Sequence, residues 1–306
     1  SLPREGRCEV PSIGWAGMKY TLAEMRGICG KVKAALGAAS GGQASRMSNG
    51  GAGPAGAGGL EAGPQPAGAG GGTKKWEAET VELIRLLAEV VIYGERSGSE
   101  AYFEVFAEEE MMATLVGLAT RTTASVGVQV VQTVSILVQN LRHEESLFLM
   151  LSSNHVNELV AAGELSSDEE ARANLVSLLK TLSLRLDSQT VQFFIDDAAD
   201  RFPLHDAALR AIDESGEPLA RASALTTLLN IYKLDDPHAR RFVDRAETRA
   251  AFYAQLVGLM SSEIDGLANA VGRPRAGSQL ERRRAAAAVE SRRAQLEDLF
   301  YYARDV

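Results

Sequence analysis

Four stretches of the chain repeat one pattern at nearly constant spacing. LIRLLAEVVIY ends at Tyr93, VQTVSILVQNL at Leu141, VSLLKTLSLRL at Leu186 and ALTTLLNIYKL at Leu234. The steps are 141 − 93 = 48, 186 − 141 = 45 and 234 − 186 = 48 residues. Within each stretch apolar residues recur three and four apart, the period of a helix, and β-branched residues do not alternate with polar ones as a half-buried strand requires. Leu175, Leu178, Leu179, Leu182 and Leu186 cover a wide arc of their helix, which fits an element packed on more than one side.

A unit of this length buries its apolar face only against its neighbours, and the spacing lies at or slightly above the roughly 40 to 47 residues of armadillo and HEAT repeats. The expected fold is all-α, an irregular armadillo/HEAT-like α-solenoid. Start and stop signals fall between the repeats. Ser167 to Glu170 (SDEE) has the form of a capping box, Glu217 precedes a Pro218 suited to a first helical turn, and Gly94 and Gly98 bracket an expected break.

Residues 37–72 are almost entirely Gly, Ala, Ser and Pro, a composition that buries too little apolar surface to offset its own ordering. The chain therefore divides into an N-terminal helical segment (1–36), a flexible Gly/Ala-rich insertion (37–73), a helical repeat domain (74–270), and a linker with a C-terminal helix (271–306). The net charge of −8 gives no global attraction to nucleic acid. Two cysteines, Cys8 and Cys29, are too few for a disulfide framework and fit a reducing cytosolic compartment. No apolar run approaches the roughly 18 residues of a membrane span.

The residues that could carry chemistry are sparse. QNLRHEESLFLMLSSNHVNELV holds His143, Glu144, Glu145 and His155, but the histidines are not four apart and no cysteine is near. A zinc site needs three or four converging ligands, so these side chains read as helix-end residues. His205 and His238 lie beside turn signals and read as capping or surface residues. Asp196, Asp197, Asp200, Asp235 and Asp236 read as solvated helix ends rather than paired catalytic carboxylates. Arg282, Arg283 and Arg284, followed by Arg292 and Arg293, could face phosphate or lipid. The interspersed Glu281, Glu290, Glu297 and Asp298 favour a solvated amphipathic face instead. Neither a phosphate-binding loop nor a nucleophile elbow is present. No catalytic, metal or cofactor site is expected.

The run from about Trp76 to Leu234 resembles the FPL domain, named for a Phe-Pro-Leu tripeptide that Phe202, Pro203 and Leu204 match here. MKYTLAEM (18–25) and LEDLFYYARDV (296–306) resemble its flanking helices more weakly. The tripeptide reads as structural, with Pro203 starting a helix and Phe202 and Leu204 packed beneath it. The resemblance implies a cytoplasmic, non-enzymatic adaptor, peripheral on endosome, Golgi, lysosome or vacuole membranes, that acts in trafficking and autophagy. Implied partners are Rab, SNARE or tethering factors, and possible recruitment to a RING ubiquitin ligase controlling mitophagy is the alternative. The Gly/Ala tract departs from the family pattern, and the family's long C-terminal half is expected to be missing.

Overall fold

The computed structural model describes residues 20–48, 69–164, 168–214, 217–272 and 279–306. They form thirteen α-helices: α1 (Leu22–Ser48), α2 (Ala69–Ser97), α3 (Ala101–Glu108), α4 (Met111–Arg121), α5 (Ala124–Asn140), α6 (Glu144–Ser152), α7 (His155–Glu164), α8 (Glu169–Ser183), α9 (Pro203–Glu214), α10 (Pro218–Tyr232), α11 (Pro237–Val243), α12 (Ala246–Gly272) and α13 (Gln279–Asp305). A 3₁₀ turn covers Val191–Phe194. No strand occurs among the described residues, where extended pairing is confined to the isolated bridge between Asp196 and Arg201. The protein is all-α.

The four repeated stretches are α2, α5, α8 and α10, and they pack on one another in that order. A second layer follows the same course, with α1 on α4, α4 on α7 and α7 on α9. Each helix of one layer also packs on its partner in the other: α1 on α2, α4 on α5, α7 on α8 and α9 on α10. The core lies between the layers. Leu178, Leu179 and Leu182 of α8 are fully buried, as are Val130, Val134 and Leu137 of α5. Burying one such side chain stabilises the fold by about 1.5–3 kcal/mol.

Polar side chains set the register between successive helices. Arg85 Nε donates to Gln129 Oε1 at 2.9 Å, Gln132 Nε2 to Asn174 Oδ1 at 3.0 Å, and Asn230 Nδ2 to Ser183 Oγ at 3.0 Å. The partners stand 42 to 47 residues apart, close to the repeat step.

Two charged residues reach farther, to the backbone of a neighbouring helix end. Glu95, near the end of α2, is 3% exposed, and its Oε2 accepts the amide hydrogens of Arg142 (2.8 Å) and His143 (3.4 Å) ahead of α6. Arg185, just past α8, donates to the carbonyls of Val138 (3.0 Å), Gln139 (3.1 Å) and Leu141 (2.9 Å) at the end of α5. Burial holds its guanidinium below the ordinary value.

Several expected boundaries move. The helix start expected at Ser167 is capped by Asp168, whose Oδ1 accepts Ala171 N–H at 3.0 Å; Ser167 lies outside the described residues. Gly94 does not break α2, which runs on to Ser97 and ends before Gly98, at φ +73°. Gly94 is required for another reason: a Cβ there would stand 2.5 Å from Cβ of Tyr102 on α3. Helix runs into the Gly/Ala-rich tract from both sides, α1 as far as Ser48 and α2 from Ala69. The middle of the proposed insertion, 49–68, lies outside the described residues, as do 1–19 with Cys8 and the 273–278 connection. An unforeseen capping box starts α1: Glu24 Oε2 accepts Thr21 N–H at 2.7 Å while Thr21 Oγ1 accepts Glu24 N–H at 3.2 Å.

Arg185→Met should keep most of the packing volume and remove three charge-assisted bonds to carbonyls. The expected loss is about 1.5–3 kcal/mol per charged hydrogen-bonding group, read as a lowered denaturant midpoint with an unchanged slope.

Candidate functional site

The FPL tripeptide sits at the entry to α9. Pro203 is its first residue, where no amide hydrogen is required. Phe202 and Leu204 are both fully buried. The tight turn before the tripeptide closes with Asp196 N–H on Arg201 O (2.8 Å) and Arg201 N–H on Asp196 O (3.0 Å).

The acidic residues near it do more than solvate helix ends. Asp236 caps α11 by accepting His238 N–H (2.8 Å) and Ala239 N–H (3.1 Å). Asp197 pairs with Arg241 at 3.0 Å, and Asp200 accepts both terminal nitrogens of Arg245. That guanidinium holds the Asp200 carboxyl below its usual range. Together these bonds clamp the turn before α9 to α11 and the start of α12.

Beneath the clamp runs a chain of aromatic rings. Phe202 meets Phe242 edge-on at 5.6 Å, and His205 stands 5.5 Å from Phe242 and 5.9 Å from Tyr232. Tyr232 meets Phe252 at 4.7 Å, and Phe252 meets Tyr302 at 6.4 Å. His205 is therefore a core residue, 1% exposed, and not the capping or surface residue its turn-rich context suggests. Its Nδ1 lies 3.3 Å from Asp206 Oδ1. His238 is exposed, 4.0 Å from Asp197.

The last ring of this chain forms part of a cleft. α12 and α13 make an antiparallel pair, with Phe252 opposite Tyr302 and Glu263 Oε2 3.0 Å from Arg292 Nη1. Between this pair and α10 lies a cleft of about 450 Å³. Leu225 and Leu229 of α10 face Leu259, Leu299 and Tyr302 across it, and the Glu263–Arg292 ion pair sits on its rim. The phenolic oxygens of Tyr232 and Tyr302 are buried without a hydrogen-bond partner among the described residues, and burial raises both above their ordinary value. An apolar cleft with a charged rim suits apolar side chains presented by another molecule.

The remaining candidates stay apart. His143 stands at the N-terminal boundary of α6, its Nδ1 3.1 Å from Glu95 Oε2 but off the angle of a hydrogen bond. His155 opens α7 and lies 3.0 Å from Glu158 of its own helix. No group of three His, Cys, Asp or Glu side chains that could hold a metal occurs among the described residues. Arg282, Arg283 and Arg284 are exposed on α13. Sequence reasoning missed Glu95, Arg185 and Tyr302. Glu95 did leave a signal: a carboxylate in the last turn of a helix opposes the helix dipole, so it is best explained by a partner elsewhere.

Phe202→Ala, by opening a cavity at the head of the ring chain, should cost about 3–5 kcal/mol, measured as a drop in melting temperature. An unchanged melting temperature would remove the tripeptide from the structural account.

Residues 84–232 match the model of the FPL family, described as an uncharacterised conserved protein. The chain is 34% identical to the Drosophila melanogaster Protein CLEC16A homolog over 187 residues, which is 60% of this chain and 17% of that protein. It is 34% identical to mouse Protein CLEC16A over 193 residues, 62% of this chain and 18% of that protein. Arabidopsis thaliana Protein TRANSPARENT TESTA 9 is 29% identical over 168 residues, 53% of this chain and 20% of that protein. The match thus spans about a fifth of each relative. No solved structure matches the chain. Residues 84–232, which run from α2 to the end of α10 and carry Phe202, Pro203 and Leu204 at the entry to α9, match the FPL domain family, and the chain is similar to the CLEC16A and TRANSPARENT TESTA 9 relatives.

Proposed function

We propose that the chain is a non-enzymatic adaptor in endosomal and Golgi-to-lysosome or vacuole trafficking and in the regulation of autophagy. The observation that carries this reading is the 34% identity with Protein CLEC16A over 193 residues, beside the FPL family match over residues 84–232, which contains the tripeptide. The family resemblance supplies the trafficking and autophagy context.

On this reading the two layers act as an irregular armadillo/HEAT-like α-solenoid, a form in which extended surfaces recruit other proteins. Support comes from the helix order, with α2, α5, α8 and α10 in one layer, and from the cleft left beside α10. No helix among the described residues is long and apolar enough to cross a membrane, so the peripheral location on endosome, Golgi, lysosome or vacuole membranes belongs to the same proposal. Its partners would be Rab, SNARE, tethering or autophagy proteins.

Affinity purification of the tagged chain from its own cells, with mass spectrometry of co-purifying proteins, tests the reading. Trafficking or autophagy components should be recovered by the wild-type chain and depleted at least several-fold by Leu225→Arg in the cleft, with the melting transition retained. Recovery of a RING ubiquitin ligase and its substrates alone would replace the adaptor reading with ligase recruitment.

A further inference from the structure

The α12–α13 pair ends in a tip that carries exposed apolar residues and arginines without an ion-pair partner among the described residues. Val271, next to the last residue of α12, is 57% exposed, and Leu280, the second residue of α13, is 58% exposed. Ile264, seven residues before Val271, is 47% exposed. Leu280, Arg283 and Arg284 stand three and four apart and share one helix face.

Along the sequence, acidic residues are interspersed with the arginines of α13. In space Glu290 and Glu297 are committed elsewhere, and Glu281 has a partner of its own. Glu290 and Glu297 flank Arg293 at 2.8 and 3.7 Å, and Arg292 pairs with Glu263 at 3.0 Å. Arg282, Arg283 and Arg284 are exposed and make no ion pair or hydrogen bond with a described residue. Arg282 closes the first turn of this helix, where the backbone dipole disfavours a cation. The chain as a whole carries −8, so the positive charge at the tip is local.

We propose that this tip is a contact surface for anionic lipid. The arginines meet phosphate and carboxylate headgroups, while Val271 and Leu280 enter the boundary between headgroups and acyl chains. Arginine suits the role because its aliphatic stem lies along apolar surface while the guanidinium stays with the headgroups. The contact requires no recruited protein, so it stands or falls separately from the adaptor reading.

Flotation of the purified chain with phosphatidylcholine vesicles, with and without phosphatidylserine, tests it at low and physiological salt. Binding should require phosphatidylserine and weaken as salt rises. The R282A/R283A/R284A variant should lose about a hundredfold in partition coefficient, at roughly a factor of five per arginine. Alanine favours helix at exposed positions, so its circular dichroism should match the wild type. Val271→Ser with Leu280→Ser should lower binding while leaving the salt dependence in place. Absence of flotation with phosphatidylserine at low salt would overturn the proposal. So would undiminished binding by the triple variant, or capture by an RNA of similar charge density and not by vesicles.

Discussion

The stack depends on charged side chains that satisfy the backbone of a neighbouring helix end. A helix leaves four amide hydrogens at its start and four carbonyls at its end without internal partners, and leaving such groups buried and unmet is costly. Glu95 meets two of the amides ahead of α6, and Arg185 meets three carbonyls at the end of α5. Each spans 44 to 48 residues, about one repeat. Leucine contacts tolerate sliding because dispersion has little direction; these bonds do not. They fix how far α5 is advanced along α2 and α8 along α5, and the Asn230–Ser183 bond does the same between α8 and α10.

What the sequence made legible follows from the range of the forces involved. Helical periodicity is local, so LIRLLAEVVIY, VQTVSILVQNL, VSLLKTLSLRL and ALTTLLNIYKL could be read directly, and all four lie in one layer of the structure. Pro203 and Pro218 mark helix starts because proline acts within one turn. Long-range matters were hidden. His205 sits among turn-forming residues yet is held in the core by rings from α10 and α11. Gly94 resembles a stop signal, whereas its lack of a side chain serves the approach of Tyr102. Charge counting along α13 missed that Glu290, Glu297 and Glu263 are taken by Arg293 and Arg292.

The candidate site was still less legible, because its cleft is assembled from three helices whose residues are distant in sequence. Leu225 and Leu299 are ordinary apolar positions in their own helices, and only the α12–α13 pair brings them to one wall. The tripeptide that names the family does not line this cleft. It heads the line of rings, from Phe202 through His205, Tyr232 and Phe252, that ends at Tyr302 on the cleft surface. A motif that is structural by burial thus bears on the shape of a surface several rings away.

The α12–α13 pair is also a lever. Its anchorage is at one end, where Phe252 and Leu256 are buried and Tyr302 joins the rings, while Val271 and Leu280 stand free at the other. Each helix has 27 residues and so spans about 40 Å at 1.5 Å per residue. From Leu256, the last buried residue of α12, to Gly272 is 272 − 256 = 16 residues or about 24 Å, so a tilt of about 10° there carries the tip through about 4 Å. Anything that wedges the cleft beside Tyr302 acts on the short arm, and whatever surface the arginines touch feels the motion of the long one.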